Sequence, residues 1–299
     1  MKTNLWTWRP LTGGDTEALD KLDYACKQVD GSEPVSDLSG DALRAAHTNP
    51  EDAIGAQLPD GSLAAAGWVR LSSARATLSG RVRPDYRRQG LGTYLMEWSM
   101  GRAARKPKLP VAITNEALTT GAQTLYTRFG FIQSMAENML VRDLLQEIPP
   151  VSMPFGMEFL DWKPSTAGLF FTAYCASFYD RPGFPNPAPK EWVEDYEDDN
   201  DFRPEISRVA SRSGKPVGFI TCSVYSGYGW ISQVGTAPEQ RGKGLASALV
   251  TEALHQFADG GLKEAALHVN LNNPSAERLY ARLGFTIRLT RGRYFLNRA

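Results

Sequence analysis

Ten residues, Pro84-Asp85-Tyr86-Arg87-Arg88-Gln89-Gly90-Leu91-Gly92-Thr93, come back later in the chain as Pro238-Glu239-Gln240-Arg241-Gly242-Lys243-Gly244-Leu245-Ala246-Ser247. Each run follows a strand-like segment and opens an amphipathic helical one. Glycines let a backbone approach a ligand closely and take conformations closed to other residues. The first free N–H groups of the helix then face the ligand, with the positive end of the helix dipole behind them. Such a loop is an anion site suited to a pyrophosphate. Arg87, Arg88, Arg241 and Lys243 add positive charge. The loop is not a P-loop, because Gly242-Lys243 is followed by Gly244 and not by Ser or Thr. It is not a dinucleotide fingerprint either, because Ser247 stands where Gly242-Lys243-Gly244 would need its third glycine. A plain glycine turn at a helix start is the competing reading. Recurrence of the loop with the same downstream partner weighs against it.

That partner is Leu125-Tyr126, Arg128 and Gly130-Phe131, which return as Leu279-Tyr280, Arg282 and Gly284-Phe285. Trp8-Arg9-Pro10 likewise returns as Trp162-Lys163-Pro164. Every anchor is displaced by 154 residues. A period this long is a duplicated domain, not a solenoid repeat of roughly 20–50 residues.

The elements that must hold these loops read as mixed α/β in each half. In the second half a strand is expected over 157–162 and a helix over 167–179. A hairpin, 207–210 with 217–223, turns at Ser213-Gly214-Lys215-Pro216. A strand over 230–236 leads into the loop, with its helix over 245–257. A strand over 265–269, a helix over 275–283 and two closing strands, 286–289 and 293–296, complete the half. The first half runs in the same order, with its hairpin turn at Pro59-Asp60-Gly61-Ser62. Pro149, Pro150 and Pro154 break both periodicities, so the division expected is 1–147, a linker 148–156, and 157–299.

Formal net charge is zero over 299 residues, which gives no pull toward nucleic acid or an anionic membrane. No long apolar run and no signal-like start stand in the sequence, so a cytoplasmic protein is expected. Cys26, Cys175 and Cys222 are scattered, without metal-ligand spacing, and read as ordinary reduced thiols. No metal is expected.

The loop together with Asn273-Pro274-Ser275-Ala276-Glu277-Arg278-Leu279-Tyr280 and Gly284-Phe285 resembles the GNAT superfamily of acetyl-CoA-dependent N-acetyltransferases. The resemblance covers nearly the whole chain, twice. It implies two tandem GNAT-like domains, each a mixed, mostly antiparallel central sheet flanked by helices. It also implies that acetyl-CoA serves as cosubstrate. Its pyrophosphate would lie on Arg241, Gly242, Lys243, Gly244, Leu245, Ala246 and Ser247. Its pantetheine arm would lie along Val234, Gly235 and Thr236, with a splay between that strand and the next admitting the thioester. Asn273 matches a residue that contacts CoA, and is equally well placed to cap its helix. Tyr280 matches the tyrosine near the departing sulfur, where a phenol with a pKa near 10 can return a proton to the thiolate. The first-half counterparts are Val82, Arg87, Arg88, Gln89, Gly90, Leu91, Gly92, Thr93 and Tyr126.

The halves are unequal. Thr119 stands where the second half has Asn273, so the second half is read as the catalyst. The first is read as a CoA binder without turnover, or as a scaffold. Many family members keep a glutamate on the strand before the loop as base; Trp230-Ile231-Ser232-Gln233 holds no carboxylate. His268 reads first as structural, and Asp180-Arg181-Pro182-Gly183-Phe184-Pro185 first as a turn, second as an acceptor-side loop. The acidic run from Glu191 to Asp201 reads as a solvated face or as an attractor of cationic amines, and the aromatics around it as core. The function expected is transfer of acetyl to a small primary amine by direct attack, in a monomer or homodimer. A protein or peptide acetyltransferase and a non-catalytic CoA sensor are the alternatives.

Overall fold

The computed structural model describes residues 6–31, 38–181 and 184–296 of the 299-residue chain. Two compact units emerge, one within Met1–Asn138 and Arg288–Ala299, the other Met139–Ile287. The division 1–147, 148–156 and 157–299 therefore differs from the folded units in two places. Residues 139–147 belong with the expected linker to the second unit, and 288–296 belong to the first. An alternating pattern makes a strand but does not choose its hydrogen-bonding partner, and the repeat offset cannot reveal an exchange of terminal strands.

In the first unit β1 (Thr7–Pro10), β2 (Ala53–Gln57), β3 (Leu63–Leu71) and β4 (Ala76–Val82) pair antiparallel in sequence. Helices α1 (Thr16–Asp30) and α2 (Leu38–Thr48) precede β2, while α3 (Leu91–Ala103), β5 (Val111–Asn115) and α4 (Thr120–Arg128) follow β4. β4 pairs parallel with β5. β6 (Ile132–Asp143) begins in this unit, and β12 (Thr286–Leu296) ends in it. The last five residues of β12, Gly292–Leu296, lie antiparallel on β5. Side-chain alternation puts adjacent β3 residues in opposite cores. Ala66 packs with Leu19, Leu22 and Cys26 of α1, and Ala65 with Leu91 and Leu95 of α3.

The second unit carries β7 (Met157–Asp161), α5 (Ala167–Phe178), α6 (Pro189–Glu197), β8 (Arg208–Arg212), β9 (Lys215–Tyr225) and β10 (Tyr228–Thr236). Then come α7 (Leu245–Asp259), β11 (Glu264–Asn270) and α8 (Pro274–Arg282). Its sheet order is β6-β11-β10-β9-β8-β7, with β10 and β11 parallel. Alternation again separates two cores: Phe219 of β9 joins Phe170, Tyr174 and Phe178 of α5, whereas Ile220 joins Leu249, Ala253 and Phe257 of α7.

Three local expectations change. The β8–β9 turn is the two-residue Ser213-Gly214, with φ of +52° and +77°, so the strand already includes Lys215 and Pro216. Two positive-φ residues match the twist of a hairpin. The two closing strands are one continuous β12. The acidic run contains the helix α6: Trp192 is buried while Glu191, Glu194 and Asp195 face water.

Candidate active site

Both repeats build the same local machine. In the second unit β10 and β11 pair only from Tyr228–Trp230 against Glu264–Ala266. β10 continues six residues further to Thr236 beside β9 alone. In the first unit β4 and β5 pair over Ala76–Leu78 and Val111–Ile113, and β4 continues to Val82 beside β3. Two parallel strands that part midway leave free main-chain groups along the gap, which must find other partners.

Where each departing strand ends, a single 3₁₀ turn (Pro84–Tyr86, Pro238–Gln240) leads to the glycine that caps α3 or α7. Gly90 sits at φ +93° and Gly244 at φ +85°, a left-handed conformation that costs any residue with a Cβ. A Cβ at either position would meet no atom within 4 Å. The conformation and the open space together suit a close-approaching anion at the first free N–H groups of the helix. Leu91 and Leu245 are buried and anchor the two helices in their cores. In each half the residue after the loop arginine is also left-handed: Gly242 at φ +74°, and Arg88 at φ +61°. A non-glycine residue there stores strain.

Arg87 and Arg241, expected to face the anion, are instead held by aspartates. Arg87 donates two hydrogen bonds to Asp30, at 2.7 and 2.5 Å, and a third to the Val82 carbonyl. Arg241 donates to Asp180 at 2.7 and 3.0 Å and to the Ser177 carbonyl. Both aspartates stand at or just past the C-terminus of the first helix of their half. Each arginine thus ties its loop to that helix, and its charge is neutralised within the protein. Arg241 holds the Asp180 carboxyl below its ordinary range, which makes Asp180 a poor base. Pro182 and Gly183 of the loop expected on the acceptor side lie outside the described residues. Gly235 is packed closely: a Cβ there would lie 2.7 Å from Ser177 Cβ and 2.9 Å from Phe219.

Asn273 caps α8, its side chain accepting from the Ala276 N–H at 3.2 Å and from the Ser275 hydroxyl. Thr119 caps α4 in the same way through the Ala122 N–H. Tyr280 is 6% exposed, and burial pushes its pKa up to about 12, so its phenol stays protonated at neutral pH. Tyr126 is set differently. Asn115 donates to its oxygen at 2.8 Å, leaving the phenol proton free for another acceptor, and Tyr294 packs on its ring at 5.1 Å. His268 lies against the Trp230 ring at 5.2 Å. The pairing of β10 with β9 shifts register between Ile231 and Gln233, and Ser232 bonds Ser223 at 3.0 Å. Among the described residues, Gln233 Oε1 and Trp230 Nε1 are buried without a hydrogen-bond partner.

In the first unit the gap opens into a cavity of about 450 Å³. Arg81, Val82, Arg88, Gly90, Gly92, Thr93, Asn115 and Tyr126 line it. Sequence reading missed Arg81 and Asn115 because the repeat partner of each, Gly235 and Val269, carries no such chemistry.

The Acetyltransferase (GNAT) family matches residues 173–285, and an acetyltransferase (GNAT) domain matches residues 59–133. A mycothiol acetyltransferase of Thermobispora bispora is 29% identical over 289 residues, spanning 92% of this chain and 94% of that relative. A mycothiol acetyltransferase of Catenulispora acidiphila is 25% identical over 293 residues, spanning 92% and 93%. Among solved structures, a GCN5-related N-acetyltransferase from Sphaerobacter thermophilus superposes with a TM-score of 0.70 at 26% identity, over 99% of this chain and 96% of that one. A tandem GNAT protein from the clavulanic acid biosynthesis pathway shares the fold, with a TM-score of 0.59 at 16% identity, over 98% and 99%.

Proposed function

This chain belongs to the GNAT acetyltransferase family, with two such domains in tandem, and from that premise we propose that its second half moves acetyl from acetyl-CoA to a primary amine on a small molecule. The single observation that carries the reading is the coincidence of three features in one half. A strand parts from its parallel neighbour, a left-handed Gly244 with open space opens a helix at the strand's end, and a buried, protonated tyrosine stands on the helix after that neighbour.

The residues divide the work as follows. The free N–H groups at the start of α7 bind the pyrophosphate, with Lys243 as the nearby cation. The main chain of Val234, Gly235 and Thr236 orients the pantetheine arm, and an amide near Val234 polarises the carbonyl. Acetyl-CoA supplies the activated acetyl group. Holding it beside an amine turns a bimolecular encounter into an oriented one, which provides much of the acceleration. Tyr280 gives its proton to the departing sulfur, and the proton that the amine loses on forming the amide returns to the phenolate through water. Asn273 first caps α8 and so fixes the helix that carries Tyr280. The first half binds CoA through Val82, Gln89, Gly90, Leu91, Gly92 and Thr93, with Arg88 adding charge.

One observation favours a second reading, a non-catalytic CoA sensor: the stretch Trp230–Gln233 offers no carboxylate base, and Asp180 is committed to Arg241. Release of CoA thiol across a panel of amines decides between them. Turnover with any member supports the enzyme. Tight CoA binding with no turnover supports the sensor.

A further inference from the structure

We propose that the first-unit cleft takes its CoA ligand together with a carboxylate, which Arg81 binds beside Tyr126. The inference rests on the reading of this cleft as a CoA site.

Arg81 lies on the part of β4 that has already left β5. Its neighbour Gly80 faces α3, since a Cβ there would stand 3.5 Å from a Leu95 methyl. Alternation therefore turns Arg81 to the opposite face, that of α1. There it lines the 450 Å³ cavity with Tyr126, Asn115 and Asp30. Asp30 is not its counter-ion, for both Asp30 oxygens are taken by Arg87. Among the described residues Arg81 pairs with no carboxylate, and its guanidinium makes one long hydrogen bond, 3.5 Å, to the Gly80 carbonyl. Its charge is near enough to Tyr126 to pull the phenol pKa down, against the larger opposite effect of burial.

The second unit shows that this position need not be charged. Gly235, 154 residues on, occupies it under Ser177 and Phe219 with no room for a side chain. A guanidinium in a half-buried cleft demands an anion, and its planar fork matches a carboxylate. The pyrophosphate belongs at Gly90, which caps α3, whereas Arg81 turns to the face away from α3, so the anion it binds is a different one. Two ligands carry it: an acyl chain that ends in a carboxylate, as in a succinyl thioester, or an amino acid bound as acceptor.

Calorimetry on the intact chain separates the sources, the first-unit site being the heat that Gly90→Val removes. One arm compares succinyl-CoA with acetyl-CoA; the other titrates CoA with and without L-alanine. In one arm the carboxylate is expected to tighten binding by about tenfold, equivalent to about 1.4 kcal/mol. Arg81→Leu should erase that preference and Arg81→Lys should keep part of it, with melting temperatures confirming that both variants fold. No preference in either arm, or one that survives Arg81→Leu, overturns the inference alone. If no CoA species gives heat that Gly90→Val removes, the cleft is not a CoA site, and the inference falls with that reading.

Discussion

Asp30→Ala tests whether the loop arginines are tethers or phosphate ligands. The Arg87–Asp30 pair is bidentate, and its side chains are 30% and 10% exposed. Removing one partner of a charged hydrogen-bonded pair costs about 1.5–3 kcal/mol, and about 3–5 kcal/mol when the stranded charge is fully buried. Arg87 keeps the Val82 carbonyl and reaches water, so the lower range applies, at about 2 kcal/mol. For a unit of about 150 residues, each kcal/mol moves Tm by roughly 2–4 °C. Asp30→Ala should therefore lower the melting transition of the first unit by about 4–8 °C. Calorimetric melting of the full chain reads the stability, and titration with CoA reads the site. The double variant Asp30→Arg with Arg87→Asp separates the two roles. A tether tolerates reversal, and CoA affinity at the first site should stay within about threefold, a loss below 1 kcal/mol. A phosphate ligand does not, because an aspartate at 87 would repel the pyrophosphate. Unchanged Tm in Asp30→Ala with tighter CoA binding would refute the tether, as would collapse of CoA binding in a folded reversed pair.

Four further outcomes follow from the site. Tyr280→Phe should lower kcat by about 10²–10⁴-fold, with little change in CoA affinity measured by calorimetry; wild-type kcat on a substrate whose chemical step limits the rate removes Tyr280 as the acid. Gly244→Val should abolish turnover while Gly90→Val retains most of it, each checked for folding by circular dichroism, since valine is strained at φ +85° and +93°; the reverse pattern moves the acid to Tyr126. Arg88→Gly should leave the first unit as stable or up to about 1 kcal/mol more stable, by relieving the left-handed strain at φ +61°, and a lower Tm would show that the side chain stabilises more than the strain costs. Acid stability should depend on Asp15, which hydrogen bonds from Arg9 hold below its ordinary pKa of 3.8; a depressed carboxyl stabilises above its unfolded pKa and loses that stabilisation as pH falls through the folded value, so Asp15→Asn should flatten the acid limb of the first unit's melting curve below about pH 4.

The loops, their glycines and the two tyrosines were legible because they are local. A strand end, a left-handed residue and a helix start fall within ten residues, and duplication states them twice. The parting of the parallel strands, which stop pairing after three residues at β4–β5 and at β10–β11, was expected only from the family resemblance and only in the second half, because periodicity makes a strand without choosing its partner. Asp30, and the pairing of Asp180 with Arg241, were not legible. The two aspartates lie 57 and 61 residues from their arginines, and they stand 150 residues apart instead of 154, so the repeat comparison steps past them. The helix in the acidic run was hidden by its charge. Trp192, Val193 and Tyr196 mark its inner face, and the two aromatics pack on Trp162.

The exchange of terminal segments shows what a repeat does and does not specify. Residues 288–296 would close the second half if each half folded within its own sequence; they lie in the first unit, with Gly292–Leu296 on β5. One consequence reaches the site directly. Tyr294, 1% exposed, packs on Tyr126, so the chain's last strand forms part of the wall behind the first unit's phenol. Asn115, on the strand that β12 covers, holds the oxygen of that phenol. The first-unit phenol is therefore backed by a strand that duplication supplied to the other half, while the residues lining the cavity all lie between Asp30 and Arg128. The two halves of this chain are repeats in sequence, but neither compact unit is built from one repeat, and their sites diverge where that exchange and single substitutions such as Arg81 for Gly235 act together.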